Sequence, residues 1–343
     1  MIASDSVFEN LLWHFSMNRQ RFLVTGGAGF IGSHLVDALL EAGHTVTVLD
    51  DLSVGKTQNF AHHLAHPHFH FVQGSILDKA LVTQLVAQVD GIYHLAAVVG
   101  VKYVVENPLR GMQVNVRGTE TILEAACARG CKVVLASSSE VYGKSAGVPF
   151  AEKDVTVIGP TSVPRWSYAI SKLLDEHLAF AYYRQEGLPA TAVRYFNAYG
   201  PRLDPRGYGS VIARFINQAL DGQALTVYGD GQQTRAFTFV ADTVRGTIVA
   251  METPESAGQA FNIGNPREIT MYELAAQIRE SVGADVDIVY VPYAQAYGAA
   301  FEDTPRRLPN VTRAAEVLGF RATTSLEEGL RQTILWFKEH RDA

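Results

Sequence analysis

Arg21-Phe22-Leu23-Val24-Thr25-Gly26-Gly27-Ala28-Gly29-Phe30-Ile31-Gly32 reads as a buried strand that breaks into glycines and enters a helix at Ser33-His34-Leu35-Val36. Gly26 suits a tight turn, Gly29 lets the backbone approach a pyrophosphate closely, and Gly32 lets the helix pack near the strand. A helix starting there aims its free N–H groups and its dipole at phosphate. The glycines alone are also what an ordinary strand–helix turn shows, but here the context adds to them. A second strand, Thr45-Val46-Thr47-Val48-Leu49, follows the helix and ends in Asp50, at about the distance where an acid holds an adenosine ribose. An acid there favours NAD over NADP, because a 2′-phosphate is repelled. Gly26, Gly29, Phe30, Ile31, Gly32 and Asp50 are the cofactor-binding residues expected from this stretch.

Working outward, strands and helices alternate. Phe69 to Val72, Gly91 to Leu95, Lys132 to Ala136 and Ala190 to Arg194 read as strands. Helices are expected over 80–88, 114–128 and 168–184. Such alternation predicts an α/β, Rossmann-like, doubly wound parallel sheet covered on both faces. Beyond Gly200, prolines and glycines multiply and segments shorten. The expected organisation is an extension over 1–18, a dinucleotide-binding domain over 19–196, and a smaller mixed substrate lobe over 197–343 with some crossings back to the sheet. In the extension, Phe8, Leu11, Leu12 and Phe15 can share one apolar helical face, or the segment lies upstream of a start at Met17.

Composition narrows the class. Hydrophobic residues make up 47% of the 343, enough for a sizeable core. The net charge of −6, without a basic block, argues against a nucleic-acid surface. No apolar stretch is long enough to span a bilayer, and the first residues lack a basic n-region and a clear cleavage site. Cys127 and Cys131 form neither a metal knuckle nor a redox pair, so reduced thiols in a cytoplasmic protein are expected. The histidines at 62, 63, 66, 68 and 70 lack a carboxylate or cysteine framework at metal-ligand spacing, so a solvated loop and no metal are expected.

A second constellation carries chemistry. Ser137-Ser138-Ser139-Glu140 follows a strand, at the sheet end where doubly wound folds bind ligands. Tyr168 and Lys172 stand four apart on a helix and share a face. An ammonium beside a phenol favours the phenolate, which makes Tyr168 a candidate base for taking a hydroxyl proton as the carbon loses hydride. A serine hydroxyl from 137–139, Ser138 or Ser139 in particular, can bridge substrate and phenol.

With Gly26-Gly27-Ala28-Gly29-Phe30-Ile31-Gly32, the chain also carries His94-Leu95-Ala96-Ala97, Asn115-Val116-Arg117-Gly118-Thr119, Glu140-Val141-Tyr142-Gly143, and Gly229-Asp230-Gly231 leading to Arg235. On these motifs, residues 20–340 resemble the extended short-chain dehydrogenase/reductase superfamily of NAD-dependent nucleotide-sugar epimerases, dehydratases and decarboxylases. The resemblance implies a bound NAD that oxidises C4 of a sugar so that a second step can follow. Ser139 stands where the similar 4,6-dehydratases carry Asp, which disfavours dehydration.

The stretches Gly159-Pro160 to Tyr168, Arg194-Tyr195-Phe196-Asn197, Gly200-Pro201-Arg202-Leu203-Asp204 and Arg306-Arg307-Leu308-Pro309 look like UDP-glucuronate decarboxylases. Tyr297-Gly298 and Phe301-Glu302-Asp303 belong to the same likeness. It implies that Glu140 and Arg307 flank the C5 carboxylate. Loss of CO2 from the 4-ketone then gives a UDP-pentose or a 4-keto-pentose. The rival is a UDP-glucuronate or UDP-glucose 4-epimerase; with a uronate, Arg206 clamps the carboxylate. A non-catalytic NAD sensor is a third reading, disfavoured because Tyr168, Lys172 and Glu140 are all present.

The same resemblance places Leu95 and Ala96 in the cofactor cleft and Lys172 on the nicotinamide ribose. Asn197, Arg235 and Arg307 then face the UDP-sugar. It implies a homodimer through the helices at 114–128 and 168–184. Ser75 departs from the Asp common in relatives after Gly74, leaving Asp78 as a possible substitute on adenine.

Overall fold

The computed structural model describes residues 19–99, 107–204, 210–293, 295 and 304–340. Strand β1 (Arg21–Thr25) is buried at four consecutive positions from Phe22, the mark of a strand covered on both faces. It pairs in parallel with β2 (Thr45–Asp50) and β4 (Gly91–His94). The full sheet runs β11 (Gln259–Ile263), β6 (Ala190–Tyr195), β5 (Lys132–Ser138), β4, β1, β2, β3 (Phe69–Gln73), and every pairing is parallel. The strand order reverses between β1 and β4, which opens a crevice at their carboxyl ends.

Helix α1 (Phe30–Glu41) and the later α7 (Val240–Glu252) cover one face, where Leu35, Val36, Val244 and Ile248 are fully or almost fully buried. On the other face lie α2 (Lys79–Val86), α4 (Gly118–Arg129) and α5 (Trp166–Glu186), with Val82, Ile122, Leu123 and Ala179 at its core. A short α3 (Pro108–Met112) runs through a π turn at Gln113–Arg117 into α4. Past residue 197, α7 and β11 return to the sheet.

The remaining segments make small sheets. Strand β7 (Ala198–Tyr199) pairs with β10 (Thr238–Phe239), and β8 (Leu225–Tyr228) with β13 (Ile288–Val291). Strand β9 (Thr234–Ala236) lies between β12 (Glu268–Thr270) and β14 (Arg306–Arg307). Helices α6 (Val211–Leu220), α8 (Met271–Val282), α9 (Thr312–Leu318) and α10 (Leu326–Glu339) pack around them, and their buried residues continue the α1–α7 core. Among the described residues, no helix is long and apolar enough to cross a membrane.

Several boundaries move relative to the sequence reading. The helix expected at 114 begins six residues earlier, because Pro108 is well placed in a first turn, where its missing N–H costs nothing. Strand β5 runs on to Ser138, held by backbone pairing of Ser137 and Ser138 with Arg194 and Tyr195. The extension over 1–18 lies outside the described residues.

Candidate active site

The turn after β1 is shaped by missing side chains. Gly26 has φ +73°, and a Cβ there would sit 2.7 Å from the Ala96 nitrogen. A Cβ on Gly32 would meet the Gly26 carbonyl at 2.2 Å, so Gly32 accommodates the turn itself, where the sequence reading has it packing the helix on the strand. Gly29 differs: its Cβ would meet only that carbonyl, at 3.2 Å, and the residue faces the cleft. The space above Gly29 is therefore open to a ligand, at the N-terminus of α1.

Asp50 closes the other side of this turn. Its carboxylate accepts from the Ala28 N–H at 3.0 Å and the Leu52 N–H at 2.9 Å. Burial raises its pKa, against the pull of these two donors. Gly26, Gly29, Phe30, Ile31, Gly32, Asp50, Leu95 and Ala96 all line one cavity of about 680 Å³. A floor with room above Gly29, N–H groups at a helix start and an acid at the end of β2 fits a dinucleotide.

The motifs at the end of β4 hold this wall. The His94 ring lies between the Thr25 hydroxyl at 2.7 Å and the Thr119 hydroxyl at 3.1 Å, and burial lowers its pKa to about 3. Asn115 accepts from the Val98 N–H at 2.7 Å and donates to the Ser171 hydroxyl at 3.1 Å. Gly74, Ser75 and Ile76 line the cavity. Asp78 caps α2 by accepting from the Leu81 N–H at 3.0 Å and does not line the cavity.

The chemical groups gather in the same cavity. Ser138 at the tip of β5 hydrogen-bonds Tyr168 and accepts from the Glu140 N–H at 3.2 Å. Ser137 is committed elsewhere, donating to Glu176, which also grips Arg194. Tyr168 and Lys172 stand on the first turns of α5, and both line the cavity with Ser139. The groups around Tyr168 pull in both directions. Burial pushes the Tyr168 phenol above its ordinary value, Ser138 pulls it down, and the nearby Glu140 and Asp175 charges push it further up. The Lys172 ammonium, on the same helix, lies 3.5 Å from the buried Asp175 carboxylate. Burial raises Asp175 to about 6, with Lys172 and Thr119 pulling the other way.

Glu140 sits between two guanidiniums. Arg307 approaches it at 2.8 Å and Arg165 at 3.3 Å. Burial alone raises a carboxyl, but Arg307 and then Arg165 outweigh it and hold Glu140 below the usual range. Arg307 is delivered by β14. The residues after it are clamped by the Phe150 N–H on the Leu308 carbonyl and the Asn310 N–H on the Phe150 carbonyl, both at 2.8 Å. Arg165 was missed in the sequence. Its position three residues before Tyr168, at the entry to α5, is the signal that was available.

The other expected substrate residues divide. Asn197 lines the cavity with φ +40°, and its amide donates to the Ala236 carbonyl at 2.7 Å, so it also ties β6 to β9. Arg235 pairs in register with Arg307, but its guanidinium donates to the Thr234 and Pro305 carbonyls and it does not line the cavity. Arg206, Tyr297, Gly298 and Phe301 to Asp303 lie outside the described residues.

A switch-point crevice with a glycine floor, a terminal acid and a Ser–Tyr–Lys wall defines a dinucleotide-dependent enzyme of the short-chain dehydrogenase type. Residues 22–264 match the NAD dependent epimerase/dehydratase family. The chain belongs to that family, and its cofactor is NAD. It is 46% identical to a UDP-N-acetyl-alpha-D-glucosaminuronate decarboxylase of Bacillus cytotoxicus, over 94% of this chain and 98% of that one. It is 38% identical to UDP-glucuronic acid decarboxylase 1 of Xenopus tropicalis, over 94% of this chain and 73% of that one. Among solved structures it is similar to a UDP-glucose 4-epimerase from Thermotoga maritima, with a TM-score of 0.85 and 34% identity over 94% of this chain and 100% of that one.

Proposed function

We propose that this enzyme oxidises C4 of a UDP-linked hexuronate and then releases its carboxylate as CO2. The observation that carries the reading is the Glu140 carboxylate held between Arg307 and Arg165 in the cavity that Tyr168 lines. The likeness to decarboxylases of UDP-glucuronate and its N-acetylamino analogue supports it.

Bound NAD supplies the acceptor for the C4 hydride and a positive charge in the cleft. Tyr168 takes the C4 hydroxyl proton, and Ser138 holds the phenol and the sugar oxygen in line. The 4-ketone is β to the C5 carboxylate, so that carbon–carbon bond breaks to an enolate. Two guanidiniums against one carboxylate leave a net positive patch for the charge that moves onto the enolate. Glu140 keeps those guanidiniums partly satisfied, so they do not lock the substrate carboxylate in its ground state.

The same reading takes Asn197 as a sugar contact and Asp50 as the ribose acid. It includes a homodimer through α4 and α5, on which Leu174 is an exposed apolar residue. Sedimentation of the full chain tests that point, and a monomer at micromolar concentration overturns it.

The deciding experiment is proton NMR of the enzyme with UDP-glucuronate and, separately, UDP-N-acetylglucosaminuronate. Pentose signals and released CO2 with either substrate are expected. An epimerised hexuronate without CO2 would assign 4-epimerase chemistry instead. Silence with both would overturn the uronate reading; turnover of UDP-glucose would then assign 4-epimerase chemistry, and bound NAD never reduced by any of the three would leave a sensor role.

A further inference from the structure

Away from the cleft, one cluster takes no part in this chemistry. Asp37 stands on the third turn of α1, buried at 8% exposure. Its Oδ1 lies 2.7 Å from His63 Nε2 and 3.1 Å from His62 Nε2. Its Oδ2 lies 2.7 Å from the Arg202 guanidinium. The histidine run lacked a carboxylate in the sequence. The fold supplies one from 25 residues upstream, because the loop after β2 folds back over α1.

Two nitrogens and one oxygen lie within 4.8 Å of one another. Zinc bonds to His and carboxylate of about 2.0–2.2 Å put neighbouring ligand atoms a little over 3 Å apart, so small rotations of the rings complete a coordination triangle. His62 is half exposed, which leaves an open side for water as a fourth ligand. Arg202 on the second carboxylate oxygen is the outer partner that such a ligand usually has, since it fixes the carboxylate's orientation. Imidazole and carboxylate donors select a borderline transition dication over Mg2+ or Ca2+.

We propose that Asp37, His62 and His63 form a binding site for one transition dication of the Zn2+ type. Arg202 and the neighbouring His34 and Glu41 set the field around it. The nearby guanidinium opposes a dication and weakens the site. The site joins α1 to the loop at 200–204, whose Leu203 and Asp204 line the cleft. It depends on no feature of the catalytic reading.

The test uses the full-length, tag-free protein stripped with chelator. Zn2+ is titrated against a colorimetric zinc indicator. One equivalent per chain is expected, with no competition from excess Mg2+. His63→Gln and His62→Gln should each weaken binding by about tenfold or more. His70→Gln, on the exposed end of the same run, should bind like the parent. Co2+ in place of Zn2+ should give visible d–d bands that vanish in His63→Gln. Thermal melts without metal check that the variants fold, and His62, on the surface, provides the safer substitution. Two results would overturn the site: no Zn2+ held against the indicator, or equal weakening by His70→Gln and His63→Gln.

Discussion

At the glycine turn the cleft is shaped by what is missing: a Cβ on Gly26 or Gly32 would strike backbone at under 3 Å. At Glu140 it is shaped by charges delivered from three segments, the end of β5, the entry of α5 and β14. The first region is local, and about a dozen consecutive residues make it. The second exists only once residues 140, 165 and 307 meet. The backbone floor has no room for an added atom at Gly26 or Gly32 and needs no partner, whereas the charge cluster depends on its members in proportion to how closely each holds the carboxylate. Tyr168 stands where the two regions adjoin.

That junction gives the largest expected effect. Tyr168→Phe removes the group that takes the C4 proton while leaving the floor and the cluster in place. Turnover should fall by about 10³-fold, with NAD affinity close to the parent's by fluorescence titration. Retained turnover would mean that the two regions do not share this base. Next comes the cluster alone. Arg307→Ala should cut CO2 release by about 10²-fold while C4 oxidation survives. The signature is NADH absorbance at 340 nm rising on addition of UDP-glucuronate, with the uronate's C6 retained in the carbon NMR spectrum. A parallel loss of both steps would deny the cluster its separate role.

The contrast also explains what the sequence disclosed. The parallel sheet, the turn and the Tyr168–Lys172 pair are legible because strand periodicity, glycines and helical spacing are all local. Asp50 is legible because a fixed connection length follows the turn. Glu140 and Arg307 were reached through resemblance, since 167 residues separate them and spacing cannot show contact. Arg165 went unseen because an arginine before a helix usually faces water. The electrostatic setting of Tyr168 stayed hidden for a similar reason. The i, i+4 geometry of Tyr168 and Lys172 is visible in the sequence, but the buried Asp175 that engages the ammonium is one helical turn further on. Arg235 shows another non-local feature: its strand register brings it beside Arg307, and the Thr234 and Pro305 carbonyls are among its partners.

The floor can be probed without touching the charges. Gly29→Ala places its new methyl 3.2 Å from one carbonyl and otherwise in open space. Thermal stability should stay near the parent's while NAD binds about tenfold more weakly, because the methyl occupies the approach to the helix N-terminus. Gly32→Ala should instead lower the melting temperature, since its methyl has nowhere to go. If Gly29→Ala binds NAD normally, the pyrophosphate does not approach there.

Arg165→Gln should give the smallest change and bears most finely on the cluster. Arg165 lies farther from Glu140 than Arg307 does and ranks behind it in holding the carboxylate ionised. Removing a cation beside a buried carboxylate raises its pKa, because burial then acts with less opposition. Glu140 works ionised in this mechanism, so the acid limb of kcat/KM must move to higher pH in Arg165→Gln. It must move further in Arg307→Ala. At neutral pH the loss in Arg165→Gln should be a few-fold, since Arg307 still holds the carboxylate. Equal shifts in the two variants would show that the guanidiniums act as one unit, and an unmoved limb in both would mean that Glu140 does not govern the acid side.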